Sequence, residues 1–133
     1  MLSATNFRRI VLGMRDAIEG VHMGHADFRV NGRIFASLNG DETRGMVVLT
    51  PDQQQRFLEE HPSAFEPESG AWGRSGCTRV HLERVGEETL GEAATLAWQN
   101  SMSRGPARAR KAAPYKRAAS APRARRSRGT PSK

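Results

Sequence analysis

The chain has 133 residues with 21 Lys and Arg against 14 Asp and Glu, a net charge of +7 and a sequence pI near 10.9. The surplus is local: residues 104–133 hold eleven Arg and Lys and no acid, whereas residues 1–103 hold ten Arg, no Lys and all 14 acids, so 10 − 14 = −4. About 100 residues allow one domain with a single core; one cysteine excludes an intrachain disulfide framework, and no run approaches the roughly 18 apolar residues of a membrane span.

A lone cysteine suits a reducing compartment. The first residues, Met1 to Asn6, show no basic segment followed by an apolar run. The expectation is a cytoplasmic protein without membrane contact.

Phe7, Ile10, Val11 and Met14 recur at helical spacing and predict a first amphipathic helix that closes by Gly20. From Ala26 the period changes to two. Ala26, Phe28 and Val30 alternate with Asp27 and Arg29, and Asn31-Gly32 follows, the residue pair that a type I′ hairpin turn favours. That turn sets Val30 opposite Arg33 and Phe28 opposite Phe35, with Phe28, Val30 and Phe35 on the core face and Arg29 beside Ile34 on the other. Asn39-Gly40-Asp41 marks the next turn, and Met46 to Leu49, apolar throughout, reads as a central strand.

Thr50-Pro51-Asp52-Gln53 is a helix start, with Thr50 as cap, Pro51 in the first turn and Gln53 completing a capping box. Phe57 and Leu58 anchor this helix and Pro62 ends it. Phe65-Glu66-Pro67 is extended. Gly70 to Cys77 is predicted to be a glycine-rich loop or distorted hairpin. Thr78, Val80 and Leu82 alternate with Arg79, His81 and Glu83 as a strand, and Leu90, Ala93, Ala94, Ala97 and Trp98 mark a closing helix. The order predicts an α+β domain over residues 1–103, a mainly antiparallel sheet with helices at start, middle and end. Residues 104–133, rich in Ala, Arg, Pro and Ser with Tyr115 the only aromatic, cannot bury enough apolar surface to fold and are expected to be disordered in isolation.

Four stretches carry a family resemblance: Glu19 to Val30 continued by Arg33 to Ala36, Leu49 to Gln54, Trp72 to Val80, and Leu96 to Asn100. Their order and content resemble the MmcQ/YjbR-like family across about residues 5–102. The resemblance implies an α+β fold likened to that of the bacterial frataxin homologue CyaY. It also implies DNA binding through a double-wing arrangement, a label that rests on fold likeness.

The residues themselves offer little for catalysis. Cys77 and His81 share a strand face but stand ~13 Å apart if extended, beyond the reach of a nucleophile–base pair. The Gly70–Gly76 stretch lacks the Lys-Ser/Thr of a phosphate loop. His22, His25 and Asp27 match no recognised metal spacing. The expectation is therefore no enzyme, no metal and no cofactor. Trp98 belongs to the apolar stripe, while Trp72 is open to either packing or stacking on bases.

Nucleic acid, DNA with low sequence specificity, is the expected partner. The tail cations, densest at Arg123, Arg125, Arg126 and Arg128, supply sequence-independent and salt-sensitive attraction. Arg29, Arg33, Arg44, Arg74 and Arg79 are the domain's candidates for backbone or base-edge contacts. The alternative is a protein-interaction or small-ligand module with an incidental tail. Clustering of those five arginines on one face favours the first; a continuous acidic helix face or a closed apolar pocket near Trp72 favours the second.

Overall fold

Ser3 opens the first helix. Its hydroxyl accepts from the Asn6 backbone N–H, and Asn6 Oδ1 accepts from the Ser3 N–H, closing a capping box at the start of α1 (Ala4–Leu12). The computed structural model describes residues 2–103, and all that follows refers to them. The expected continuation of α1 to Gly20 does not occur. Gly13 caps the helix through its N–H to the Arg9 and Ile10 carbonyls, and Asp16, at φ 63°, turns the chain through the left-handed region that Asp tolerates. Residues 18–22 then form a strand. Met14 leaves the helix but still packs against the core.

Six strands build one antiparallel sheet: β1 (Ile18–His22), β2 (His25–Val30), β3 (Arg33–Leu38), β4 (Arg44–Val48), β5 (Phe65–Pro67) and β6 (Cys77–His81), in the order β1-β2-β3-β4-β6-β5. The apolar Met46 to Val48 segment is central, as its lack of a polar face predicts. Two hairpin turns are left-handed at both central residues: Met23-Gly24 (φ 53° and 84°) and the expected Asn31-Gly32 (φ 58° and 77°). Both fit the type I′ form that matches strand twist.

The expected register holds for Val30 opposite Arg33 and Arg29 opposite Ile34, but Phe28 pairs with Ala36 rather than Phe35. A bulge makes Phe35 the extra residue of β3, so two residues oppose one. Phe28, Val30 and Phe35 remain buried together in the core, now joined by Ala36.

Alternation along the strands separates two faces. Phe28, Ala36, Val47 and Thr78 form one row and Leu38, Gly45, Val80 and Phe65 the next, all on the face covered by helices. The closing helix α4 (Glu87–Ser103) lies on β2, β3 and β4 and against α1, burying Leu90, Ala93, Ala94 and Ala97. Its alanines bring helix and sheet close. Phe7 of α1 meets Phe28 with ring centroids 5.8 Å apart. The helix α2 (Pro51–Glu60) starts with the predicted Thr50/Gln53 box and sets Phe57 5.0 Å from Phe65. Each such aromatic removes enough apolar surface from water to stabilise the fold by roughly 1.5–3 kcal/mol. His61, at φ −137° and ψ 63° before Pro62, leaves the helical region and ends α2. Trp98 is half-buried at the core's rim, its indole N–H donating to the Arg15 carbonyl at 2.9 Å.

Candidate nucleic-acid interface

The residues between the core rows point the other way. Asp27, Ser37, Met46, Arg79 and Glu66 form one row across β2, β3, β4, β6 and β5, flanked by the cross-strand pairs His22–His25 and Arg44–His81. This face is polar where the opposite one is apolar, which is the pattern of a sheet with one side left for solvent or a ligand.

Ion pairs shape the face. Arg29 donates from both Nε and NH2 to the two carboxylate oxygens of Asp27, at 2.8 and 3.0 Å. Asp27 is only 2 % exposed, and this bidentate partner is what makes its burial tolerable. Arg79 donates to Glu68 at 3.0 Å and lies 3.5 Å from Glu66. His81 Nε2 donates to Glu66 at 2.6 Å, and this bond, reinforced by the Arg79 charge, holds the Glu66 carboxyl below its ordinary range. Arg44 differs. Among the described residues no carboxylate lies within salt-bridge distance of it, and it acts on Asp41 and Glu66 only through longer-range attraction. The three arginines of the face, Arg29, Arg44 and Arg79, are matched by three carboxylates, Asp27, Glu66 and Glu68, so with neutral histidines the formal charge of the face is 3 − 3 = 0.

A concavity of about 590 Å³ crosses this face. His22, Met23 and His25 of the β1–β2 hairpin line one side, Ser37 and Met46 the floor, and Trp72 with Glu68 the other side. Its size falls within the range of ligand pockets. Met23 stands out from the hairpin at 78 % exposure. His25 Nδ1 is buried with no hydrogen-bond partner, an unusual condition for an interior polar atom.

Trp72 is held by a short helix, not by the loop or distorted hairpin that the glycines predict. α3 (Gly70–Ser75) packs against β5 and β6. Here glycine supplies close approach: a Cβ on Gly73 would lie 1.8 Å from the Glu68 carbonyl oxygen. Gly76, at φ +117°, ends the helix where a Cβ would lie 1.9 Å from the Leu49 carbonyl. Buried Gln54 of α2 ties the unit down, its amide reaching the Gly73 carbonyl at 3.0 Å, the Cys77 carbonyl at 3.1 Å and Thr78 Oγ1 at 3.1 Å.

Of the five domain arginines singled out from sequence, Arg44 and Arg79 line the concavity on the open face, while Arg29 shares that face but lies over Gly20 of β1, outside the lining. Arg74 is exposed on α3, two residues from Trp72. Arg33 sits beside the Asn31-Gly32 turn, opposite Val30 and so on the helix side of the sheet. Arg123, Arg125, Arg126 and Arg128 lie outside the described residues. The histidine hairpin and the carboxylates that pair Arg29 and Arg79 are additions that sequence reasoning did not make. His22-Met23-Gly24-His25 was a legible turn; the Arg79 pairs, made across strands, had no local signal.

Cys77 is buried, and desolvation pushes its thiol up to about 11, far from a nucleophile's range. No group of three or more His, Cys, Asp and Glu among the described residues is placed to hold a metal, and no described helix is long and apolar enough to cross a membrane.

A model of the YjbR family matches residues 12–100. The fold is similar to the crystal structure of the Deinococcus radiodurans protein DR2400, described by its DUF419 domain, with a TM-score of 0.68 and 19 % sequence identity over 82 % of this chain and 85 % of that one. At that identity the likeness is one of fold. No curated protein matches the chain.

Proposed function

The chain belongs to the YjbR family, and from that premise we propose that it is a non-enzymatic nucleic-acid-binding protein acting on DNA. The cationic tail supplies attraction without sequence preference, and the open sheet face orients the strand. The observation that carries this reading is the meeting of Arg44 and Arg79 with Trp72 around one open concavity, with Arg29 on the same sheet face outside it. The eleven cations of residues 104–133 follow directly on α4, whose last turn lies by the Asn31-Gly32 hairpin, with Asn31 Nδ2 donating to the Ser101 carbonyl.

The charge balance assigns the two parts different work. A neutral face does not draw in a polyanion, whereas each phosphate neutralised by the tail releases counterions and contributes to salt dependence. Phosphate contacts of this kind position the nucleic acid and carry no sequence information. The expected result is weak, strongly salt-dependent DNA binding with little discrimination among sequences.

The test is duplex and single-stranded DNA binding at several salt concentrations. It compares the full chain, the chain ending at Ser103, which retains every core residue, and a full chain with Arg123, Arg125, Arg126 and Arg128 changed to Ser. On duplex DNA the four substitutions lower the slope of log K against log salt by about 3–4 if all four reach phosphates. Absence of binding by the full chain to either form at low salt refutes the proposal. Binding unchanged on removal of the tail transfers the affinity to the domain and refutes the division of work.

A further inference from the structure

We infer that the concavity on the open face is a single-strand site: it seats an unpaired base against Trp72 while Arg44 meets the adjoining phosphate. This rests on the nucleic-acid reading and names the form of nucleic acid that the domain selects.

Charge excludes the duplex first. A duplex presents its phosphates outward at high density, one charge per ~1.7 Å of axis, and rewards a surface with several uncommitted cations. On this face Arg29 and Arg79 are already committed to Asp27 and to Glu66 and Glu68. Arg44 alone of the three has no carboxylate at bonding distance among the described residues. One such arginine suits one phosphate.

Shape points the same way. Reading a duplex by its major groove requires a helix or ribbon that projects into it. The surface here is hollow, about 590 Å³, between the hairpin carrying His22, Met23 and His25 and the helix carrying Trp72. A hollow takes a group that the nucleic acid extends toward it. Only an unpaired base can be so extended without the cost of opening a pair.

The lining then matches a base. Trp72 and the histidines present flat rings of the kind on which bases stack. Ser37 on the floor bears a hydroxyl that can donate to or accept from a base edge. Met23 adds an exposed, polarizable side chain that packs on apolar ring surface. The affinity that such a neutral face generates comes from stacking and hydrogen bonding, and it persists at salt concentrations that screen the tail.

The experiment uses the full chain and a 12-nucleotide oligothymidylate against a 12-base-pair duplex, at salt high enough to suppress the tail. It is repeated with Trp72→Leu, Trp72→Phe and Arg44→Gln. In a Trp98→Phe background Trp72 is the sole tryptophan, so its fluorescence reports stacking directly. The expected result is preference for the single strand, quenching of Trp72, and a loss of roughly 5- to 100-fold for Trp72→Leu. Trp72→Phe, which keeps a ring, retains most of the affinity. Arg44→Gln weakens single-strand binding less steeply and lowers its salt slope by about 0.7, one phosphate's worth. Equal or stronger duplex binding with Trp72→Leu indifferent overturns this inference and leaves the nucleic-acid reading standing. No binding of either form at any salt overturns both.

Discussion

Gln54 is the side chain on which the position of Trp72 depends, and its removal is a quantitative test of that claim. Its amide is 8 % exposed and faces three acceptors, the carbonyls of Gly73 and Cys77 and Thr78 Oγ1, at 3.0–3.1 Å. Thr78 Oγ1 itself donates to the Gly76 carbonyl, so it is free to accept. Two amide protons serve these three acceptors. Gln54→Leu keeps the volume and deletes both donors. The Gly73 and Cys77 carbonyls keep the Gly76 and Glu68 N–H groups as partners and Thr78 Oγ1 keeps the Gly76 carbonyl, so no acceptor is stranded. The loss is that of two hydrogen bonds at about 0.5–1.5 kcal/mol each, roughly 1–3 kcal/mol together. For a domain of this length that lowers Tm by about 4–20 °C. Gln54→Glu keeps the shape but sets a carboxylate against the same oxygens. It is therefore more destabilising than Gln54→Leu at neutral pH. The introduced carboxyl has its folded-state pKa raised by burial among acceptors, because its protonated form alone donates. Its deficit shrinks as pH falls toward the ordinary carboxylate range, whereas that of Gln54→Leu does not. Thermal unfolding by circular dichroism from pH 7 to pH 5 measures all three proteins. A Gln54→Leu protein within 2 °C of the parent, or a Gln54→Glu protein no worse than Gln54→Leu, refutes the assignment of Gln54 as the clamp between α2, α3 and β6.

Gly76→Ala and Gly91→Ala should move stability in opposite directions. The first puts a Cβ 1.9 Å from the Leu49 carbonyl oxygen at φ +117° and is expected to cost more than 2 kcal/mol through strain and backbone displacement. The second adds a methyl within α4 where nothing lies within 4 Å and is expected to stabilise by about 0.5–1 kcal/mol; denaturant midpoints compare them. Burial of Cys77 predicts slow alkylation of the native protein at pH 8 and rapid alkylation once it is unfolded. Its thiol titrates near 11 when folded, above its ordinary value of 9.0. The unfolded state therefore releases its proton first, and stability falls as pH rises from about 9 to 11, by roughly 2–3 kcal/mol in all. Cys77→Ser removes that titration, and a parent protein whose alkaline loss is unchanged by the substitution disproves the cause.

The parts of the fold that were legible in the sequence are those with local causes. Thr50, Pro51 and Gln53 specify a helix start by hydrogen bonds made within one turn, and Asn31-Gly32 specifies a hairpin through backbone angles available to those two residues. The β3 bulge was not legible, because Phe28, Phe35 and Ala36 are apolar whichever of the latter two pairs with Phe28. α3 was hidden for a related reason. Gly73 and Gly76 read as loop formers, yet they serve contacts with Glu68 and Leu49, five and 27 positions away. β1 was masked by the amphipathic run before it, with Gly13, not Gly20, as the stop. At the candidate site, Asp27 and Arg29 are two apart on one strand face and their pairing could be read from spacing. The pairing of Arg79 with Glu66 and Glu68 depends on β5 lying beside β6, which no local pattern dictates.

That last pairing changes what the net charge means. Counted along the sequence, five domain arginines look like a surface for phosphate. Placed in the fold, two of the three on the open face are neutralised by partners held at 2.8–3.5 Å, and their guanidinium groups act as fixed donors in a wall more than as free charge. On the proposed reading, charge and recognition are thus separated in this chain. The sequence concentrates its unbalanced cations in residues 104–133, and the open face is neutral and shaped, so that it gains little from phosphate alone. On the proposed reading, a polyanion captured by the tail is held at high effective concentration beside the face. A weak, stacking-dependent contact there then lengthens the encounter while adding only one phosphate's worth, the one met by Arg44, to its salt dependence. Raising the salt weakens capture by many phosphates far more than a contact that uses one, so the preference between single strand and duplex should widen as overall affinity falls.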